Sequence, residues 1–197
     1  MYSRDHAIRS QPMSEGLARN WWLLGIRGLG ALAFGIGIVA LSPRALAAIV
    51  LAFSAYVAAD GMLAILSGVR AIQRGERWTA LILQGASNLA VAGAVIAIPD
   101  LAIVPFLQVT SAWAALTGAL LLVAARRLAD GYGRWPLILG GALSISWGAL
   151  EAAAGPSTDA DGRTTGLWLA AYALPFGLAL LGLSWSLHAK HSAQATT

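Results

Sequence analysis

The sequence predicts an all-α, polytopic membrane protein: six transmembrane helices arranged as three tandem helical hairpins. Three observations predict it. Hydrophobic residues fill 58% of the 197 positions and charged residues only 11%, whereas a soluble domain carries about a quarter charged. The apolar residues gather into six runs, 21–41, 45–68, 78–98, 101–125, 135–154 and 165–187, and about 20 residues of helix cross a hydrocarbon core. Finally, three sequence markers recur in the same order at nearly one spacing.

Those markers define the repeat. Trp21, Trp78 and Trp135 are spaced 57 residues apart, and Pro43, Pro99 and Pro156 follow them by 22, 21 and 21 residues. Then come SAYVAADG (54–61), SAWAALTG (111–118) and AAYALPFG (170–177), whose closing glycines Gly61, Gly118 and Gly177 are 57 and 59 apart. Each unit reads as a Trp-led helix, a Pro-marked turn, a second helix and a basic connection. Proline suits the turn because it cannot continue a helix without losing a backbone bond. The expected organisation is an N-terminal segment (1–20), a six-helix domain (21–188, with repeats 21–77, 78–134 and 135–188) and a tail (189–197). The third unit has a longer tip, 155–164, with Asp159, Asp161 and Arg163.

Helix is the only state these runs suit. In lipid the backbone must bond within its own segment or close into a barrel, and the runs lack the alternation of barrel strands. The first run is too long for a signal-peptide core and has no small-residue cleavage site, so it reads as a retained anchor.

Orientation follows from charge. Arg4, Arg9, Arg19, Arg70, Arg74, Arg77, Arg126, Arg127, Arg134 and Lys190 fall on one side, against Arg44 and Arg163 at the tips. The positive-inside rule then places both termini in the cytoplasm, with Trp21, Trp22, Trp78 and Trp135 as an aromatic belt on that side. A two-helix unit returns the chain to its starting side. The repeats are therefore parallel, with pseudo-three-fold symmetry about the membrane normal, unlike the inverted repeats of many transporters.

Composition excludes several functions. There is no cysteine, hence no disulfide, thiolate nucleophile or cysteine metal site. The basic residues sit in short connections instead of one stripe, which argues against nucleic acid. GIRGLG (25–30) lies inside a membrane helix and follows no strand, so it is not a phosphate loop. No nucleophile–base pair or acidic metal cluster is visible, and the expectation is a non-enzymatic protein with no catalytic residues, cofactor or metal. His6, His188 and His191 read as solvated terminal residues.

Within the apolar runs, Arg27 and Asp60 stand out. Intramembrane charges are costly and usually pair or line a cavity. The hairpin places both at similar depth on adjacent antiparallel helices. Their repeat equivalents change in step: Arg27, Gln84, Gly141 against Asp60, Thr117, Phe176. An ion pair is expected, the alternative being that Arg27 snorkels alone. Glu151, near the outer end of the fifth helix, reads either as a titrating carboxylate facing outward or, the preferred reading, as an interfacial acid reaching water. Small-residue ridges also recur: Gly28, Ala31 and Gly35; Ala86, Ala90 and Ala94; Gly140, Ser144, Gly148 and Ala152. They read as internal packing, or else as contacts for a homo-oligomer or membrane-protein partner.

WWLLGIRG, ALSP and SAYVAADG in the first unit resemble the HdeD family of short-repeat bacterial inner-membrane proteins. The resemblance covers residues 20–188. Its carriers are the Trp21-led helix, Arg27-Gly28, the Pro43 turn, and Tyr56 with Asp60-Gly61. The later units keep the Trp, Pro and closing Gly and lose the Arg and Asp. The resemblance implies a multi-pass inner-membrane protein with a role in acid or envelope stress, and it supplies no catalytic residues. The alternatives are a small transporter or channel with a polar path at Arg27/Asp60 and Gln84/Thr117, and a membrane partner subunit or scaffold.

Overall fold

The computed structural model describes residues 20–41, 45–75, 78–98, 103–127, 134–155 and 161–195. Among them the chain forms six helices: α1 Trp21–Leu41, α2 Leu46–Gln73, α3 Thr79–Ala97, α4 Ile103–Arg127, α5 Arg134–Ala154 and α6 Gly162–Ala195. All six are long and apolar enough to cross a membrane. The tip prolines Pro43, Pro99 and Pro156, the segment 1–19, and Arg77, Asp159 and Arg44 lie outside the described residues.

The helix ends follow local chemistry. Asn20 precedes α1, and its carbonyl accepts from the Leu23 amide at 3.0 Å. α2 runs past residue 68 and stops at Gly75, whose φ of +69° is the left-handed conformation that glycine takes without strain. Asp161 caps α6: its Oδ1 accepts from the amide and the hydroxyl of Thr164, each at 2.8 Å. That cap starts the helix inside the segment expected as loop, so the 155–164 tip is shorter than the sequence suggests. At its other end α6 reaches Ala195, because the stretch after Leu187 contains no glycine or proline to stop it. Most of the expected tail, 189–197, is therefore helical.

The hairpins do not pack as self-contained units. The closest approaches are between them, along α2–α3, α4–α5 and α6–α1, and each is built on a reciprocal pair of glycines. A Cβ placed on Gly61 would lie 3.0 Å from the Gly85 carbonyl oxygen, and one on Gly85 2.7 Å from that of Gly61. Gly118 and Gly141 face each other in the same way at 2.6 and 2.9 Å, and Gly177 and Gly28 at 2.9 and 3.0 Å. Lipid gives little hydrophobic drive between helices, so this backbone-to-backbone packing is what holds them.

The glycine pairs also correct the repeat register. Gly28, Gly85 and Gly141 hold equivalent places, so Arg27 corresponds to Gln84 and Gly140, not Gly141. The adjacent Gly140-Gly141 allows either register in sequence alone. Of the small-residue ridges, Gly28, Ala31 and Gly35 are buried, as are Gly140, Ser144 and Gly148, whereas Ala152 and the whole α3 ridge of Ala86, Ala90 and Ala94 face outward.

The centre of the bundle is aromatic. Phe53 meets Phe106 edge-on at 5.5 Å and Trp113 at 5.4 Å; Trp113 meets Tyr172 at 5.9 Å, and Tyr172 stacks on Phe176 at 5.3 Å. All five are buried. Outward positions such as Leu29, Ile36, Met62, Leu139 and Leu178 are apolar and exposed, as a lipid-facing surface requires.

Candidate functional site: a buried polar layer

The structure brings Arg27 and Asp60 together. Arg27 Nε donates to Asp60 Oδ1 at 2.6 Å and Nη2 donates to Oδ2 at 2.9 Å, with both side chains buried. This is the planar two-bond fork in which a guanidinium and a carboxylate satisfy one another best. Arg27 reaches across the hairpin and does not snorkel.

The pair belongs to a larger network. Asn88 on α3 donates through Nδ2 to Asp60 Oδ2 at 2.8 Å, and its Oδ1 accepts from Trp113 Nε1 on α4 at 2.8 Å. All four side chains are buried. The chain Arg27–Asp60–Asn88–Trp113 thus links the first four helices. Asn88 uses both ends of its amide, one on a charged partner and one on a neutral one. The remaining two helices carry their own tie, Ser144 to Tyr172 at 3.0 Å between hydroxyls, while Ser144 also donates to the Gly140 carbonyl at 2.9 Å.

Each hairpin is therefore closed by one polar bridge. The second and third hairpins use equivalent positions, Asn88 with Trp113 and Ser144 with Tyr172. The first holds Ala31 and Tyr56 there, and Tyr56 stacks on Phe34 at 4.9 Å instead. Its bridge moves one turn along, to Arg27 and Asp60. Sequence reasoning found the charged bridge and missed Asn88, Trp113, Ser144 and Tyr172. An intramembrane charge announces its own cost, whereas a neutral polar or aromatic residue does not. The available signal was Asn88 itself, an amide in an apolar run with no stated partner.

Gln84 and Thr117 are both buried, yet Gln84 Nε2 has no hydrogen-bond partner. No hydrogen bond joins them, so the stepwise change with Arg27 and Asp60 does not carry over as a bonded pair.

Glu151 departs from its preferred sequence reading. It is only 3% exposed and does not reach water. Neither carboxyl oxygen has a hydrogen-bond partner.

The end of the bundle where α1 begins and α6 finishes is basic and aromatic. Arg74 Nη1 donates to Asn20 Oδ1 at 3.2 Å, and the Arg70 guanidinium lies 4.9 Å from the Trp22 ring centre. Trp78, Trp135 and Trp185 are exposed at this level. His188 does not float in a solvated tail. It sits on α6 with its ring 4.2 Å from that of Trp21, while Ser184 Oγ donates to the Trp21 carbonyl at 2.9 Å. Nothing in this end resembles a metal centre: among the described residues, no three His, Asp or Glu side chains gather to hold an ion.

Comparison with family models, with curated proteins and with solved structures finds no significant match to this chain. Its organisation stands on its own residues: a multi-pass helical membrane protein whose buried polar groups largely satisfy one another.

Proposed function

We propose that this chain is a non-enzymatic protein of the bacterial inner membrane, of the HdeD type, that contributes to acid or envelope stress tolerance as a packed bundle and not as a conduit. The observation that carries the reading is the filled axis. Phe53, Phe106, Trp113, Tyr172 and Phe176 occupy the centre, where a transporter or channel would need a polar path. The ion pair at Arg27 and Asp60 is consumed by its own partners. Gln84 and Thr117 do not extend it into a continuous hydrophilic route.

The basic end supports an orientation with both termini in the cytoplasm. Arg70, Arg74, Arg126 and Arg134 cluster there with the exposed tryptophans, the pattern of a cytoplasmic interface. The HdeD resemblance supports the bacterial inner membrane and the stress role.

Two measurements on the same gene test this. A deletion strain should survive acid challenge less well and recover with the wild-type gene; unchanged survival would remove the stress role. Proteoliposomes carrying the purified protein should pass protons and monovalent ions no faster than protein-free vesicles. A flux that depends on the protein would favour the conduit.

A further inference from the structure

Glu151 is a buried carboxyl that no described residue pairs with. It lies three residues before the end of α5, in the half of the bundle opposite the basic end. An isolated carboxylate buried in apolar surroundings is costly unless it finds donors or a cation. Among the described residues, neither oxygen has a hydrogen-bond or ion-pair partner. The Thr110 hydroxyl on α4 lies near the carboxyl without bonding to it, and it donates to the Leu107 carbonyl at 3.0 Å. With that proton engaged, Thr110 is placed to accept a hydrogen bond from a protonated Glu151. The neighbouring Ser111 hydroxyl is likewise committed, donating to the Gly148 carbonyl at 2.6 Å. On α6, Thr165 donates to the Asp161 carbonyl at 3.3 Å. Tyr172 shares its hydroxyl contact with Ser144.

The charged groups of these elements stand elsewhere. Asp161 and Arg163 are exposed at the first turn of α6. Arg126 of α4 and Arg134 of α5 are exposed at the opposite end. The hydroxyls of Thr110, Ser111 and Thr165 thus have their protons on backbone carbonyls, Tyr172 is tied to Ser144, and the unpartnered Trp168 Nε1 on α6 makes no bond to the carboxyl. A neutral carboxylic acid, which carries no charge and brings its own donor, suits this buried and unpartnered position.

We propose that Glu151 is a proton-binding site: it holds a proton in the closed bundle and donates it toward Thr110, and the packing of α4, α5 and α6 at this end depends on that proton being there. Loss of the proton leaves a bare charge buried beside Thr110, so it requires water to enter at the end of α5. The ligand is the proton itself, taken up from the side facing the hairpin tips. This inference does not rest on the stress role proposed above, and its test does not read survival.

The probe is dicyclohexylcarbodiimide, an apolar carbodiimide that adds to neutral carboxylic acids within a membrane. Purified wild-type protein in phosphatidylcholine vesicles is treated across a pH series, digested and mapped by mass spectrometry. The expected result is an adduct on Glu151 at neutral pH, falling about tenfold per pH unit once the group ionises. Asp60, locked to Arg27, should stay unmodified. Infrared spectra of the same vesicles should contain a neutral-acid carbonyl band that disappears in Glu151→Gln, a variant whose amide fits the same space without charge. Thr110→Val should keep the band and move it to higher frequency as the acceptor is lost. An unmodified Glu151 at neutral pH, or a neutral-acid band that survives Glu151→Gln, would overturn the proposal.

Discussion

Gly28 and Gly177 meet back to back and close the ring between the first and last helices. A Cβ on Gly177 would lie 2.9 Å from the Gly28 carbonyl oxygen and 2.9 Å from Leu32 Cγ; one on Gly28 would lie 3.0 Å from both the Gly177 oxygen and Leu181 Cγ. Backbone atoms cannot yield as a flexible side chain can. Gly177→Ala and Gly28→Ala should therefore each destabilise the protein by about 1–3 kcal/mol, the usual cost of overpacking. Gly30, on the outward face of the same helix, meets nothing within 4 Å. There Gly30→Ala should be neutral or stabilising by up to about 1 kcal/mol, through helix propensity alone. Thermal unfolding in detergent separates the two cases.

Asn88 is the hinge of the polar layer, and its loss should be felt on both sides. Asn88→Leu removes a second donor from Asp60, which keeps the Arg27 fork, and strands the Trp113 Nε1 donor without an acceptor. The expected cost is about 1–3 kcal/mol for the buried indole N–H left unsatisfied, plus the weakened hydrogen bonding of Asp60. Trp113→Phe removes only the neutral end of the network and should cost less. If both variants unfold at the wild-type temperature, the layer is not contributing to stability.

Much of this arrangement was legible in the sequence, for identifiable reasons. Long apolar runs locate membrane helices because lipid leaves the backbone no other choice. Arg27 and Asp60 could be paired because charge inside the membrane demands compensation and the hairpin fixes their depth. The Asn88–Trp113 and Ser144–Tyr172 bridges were not legible, since neutral side chains carry no comparable demand. The outward direction of Ala86, Ala90 and Ala94 was hidden as well. Four-residue spacing puts these alanines on one face of α3 but does not say which neighbour, if any, that face meets. The burial of Glu151 was missed because a carboxylate near a helix end is expected to reach water, and only the packing of α4 and α6 around it prevents that.

The acid held at Glu151 gives stability a definite pH dependence. A carboxyl that is neutral in the folded bundle and free to ionise when unfolded means that the folded state binds more protons. Stability then falls as pH rises. The wild-type unfolding temperature should drop on going from acid to alkaline pH, and Glu151→Gln should flatten that part of the curve. A wild-type curve that rises with pH would have the wrong sign.

Topology can be read directly because the chain contains no cysteine. Single cysteines at Gln73 and Arg126, both exposed near the basic end, should resist a membrane-impermeant maleimide in intact cells and react after permeabilisation. A cysteine at Arg163, exposed at the opposite end, should react in intact cells. The reverse pattern would invert the orientation.

The fork between Arg27 and Asp60 anchors the buried layer, and a double-variant cycle on that pair measures how firmly. Arg27→Leu leaves Asp60 with Asn88 as its donor and the option of taking up a proton. Asp60→Leu strands an arginine that cannot give up its charge, so it should be the more damaging change. Each single variant should lose about 3–5 kcal/mol, the cost of breaking a buried pair. The double variant removes both charges and should be less damaged than the sum of the singles, with a coupling of about 0.5–3 kcal/mol. The measurement is thermal or denaturant unfolding of the four proteins in one detergent. Losses that simply add would mean that Arg27 and Asp60 do not hold one another in the folded protein.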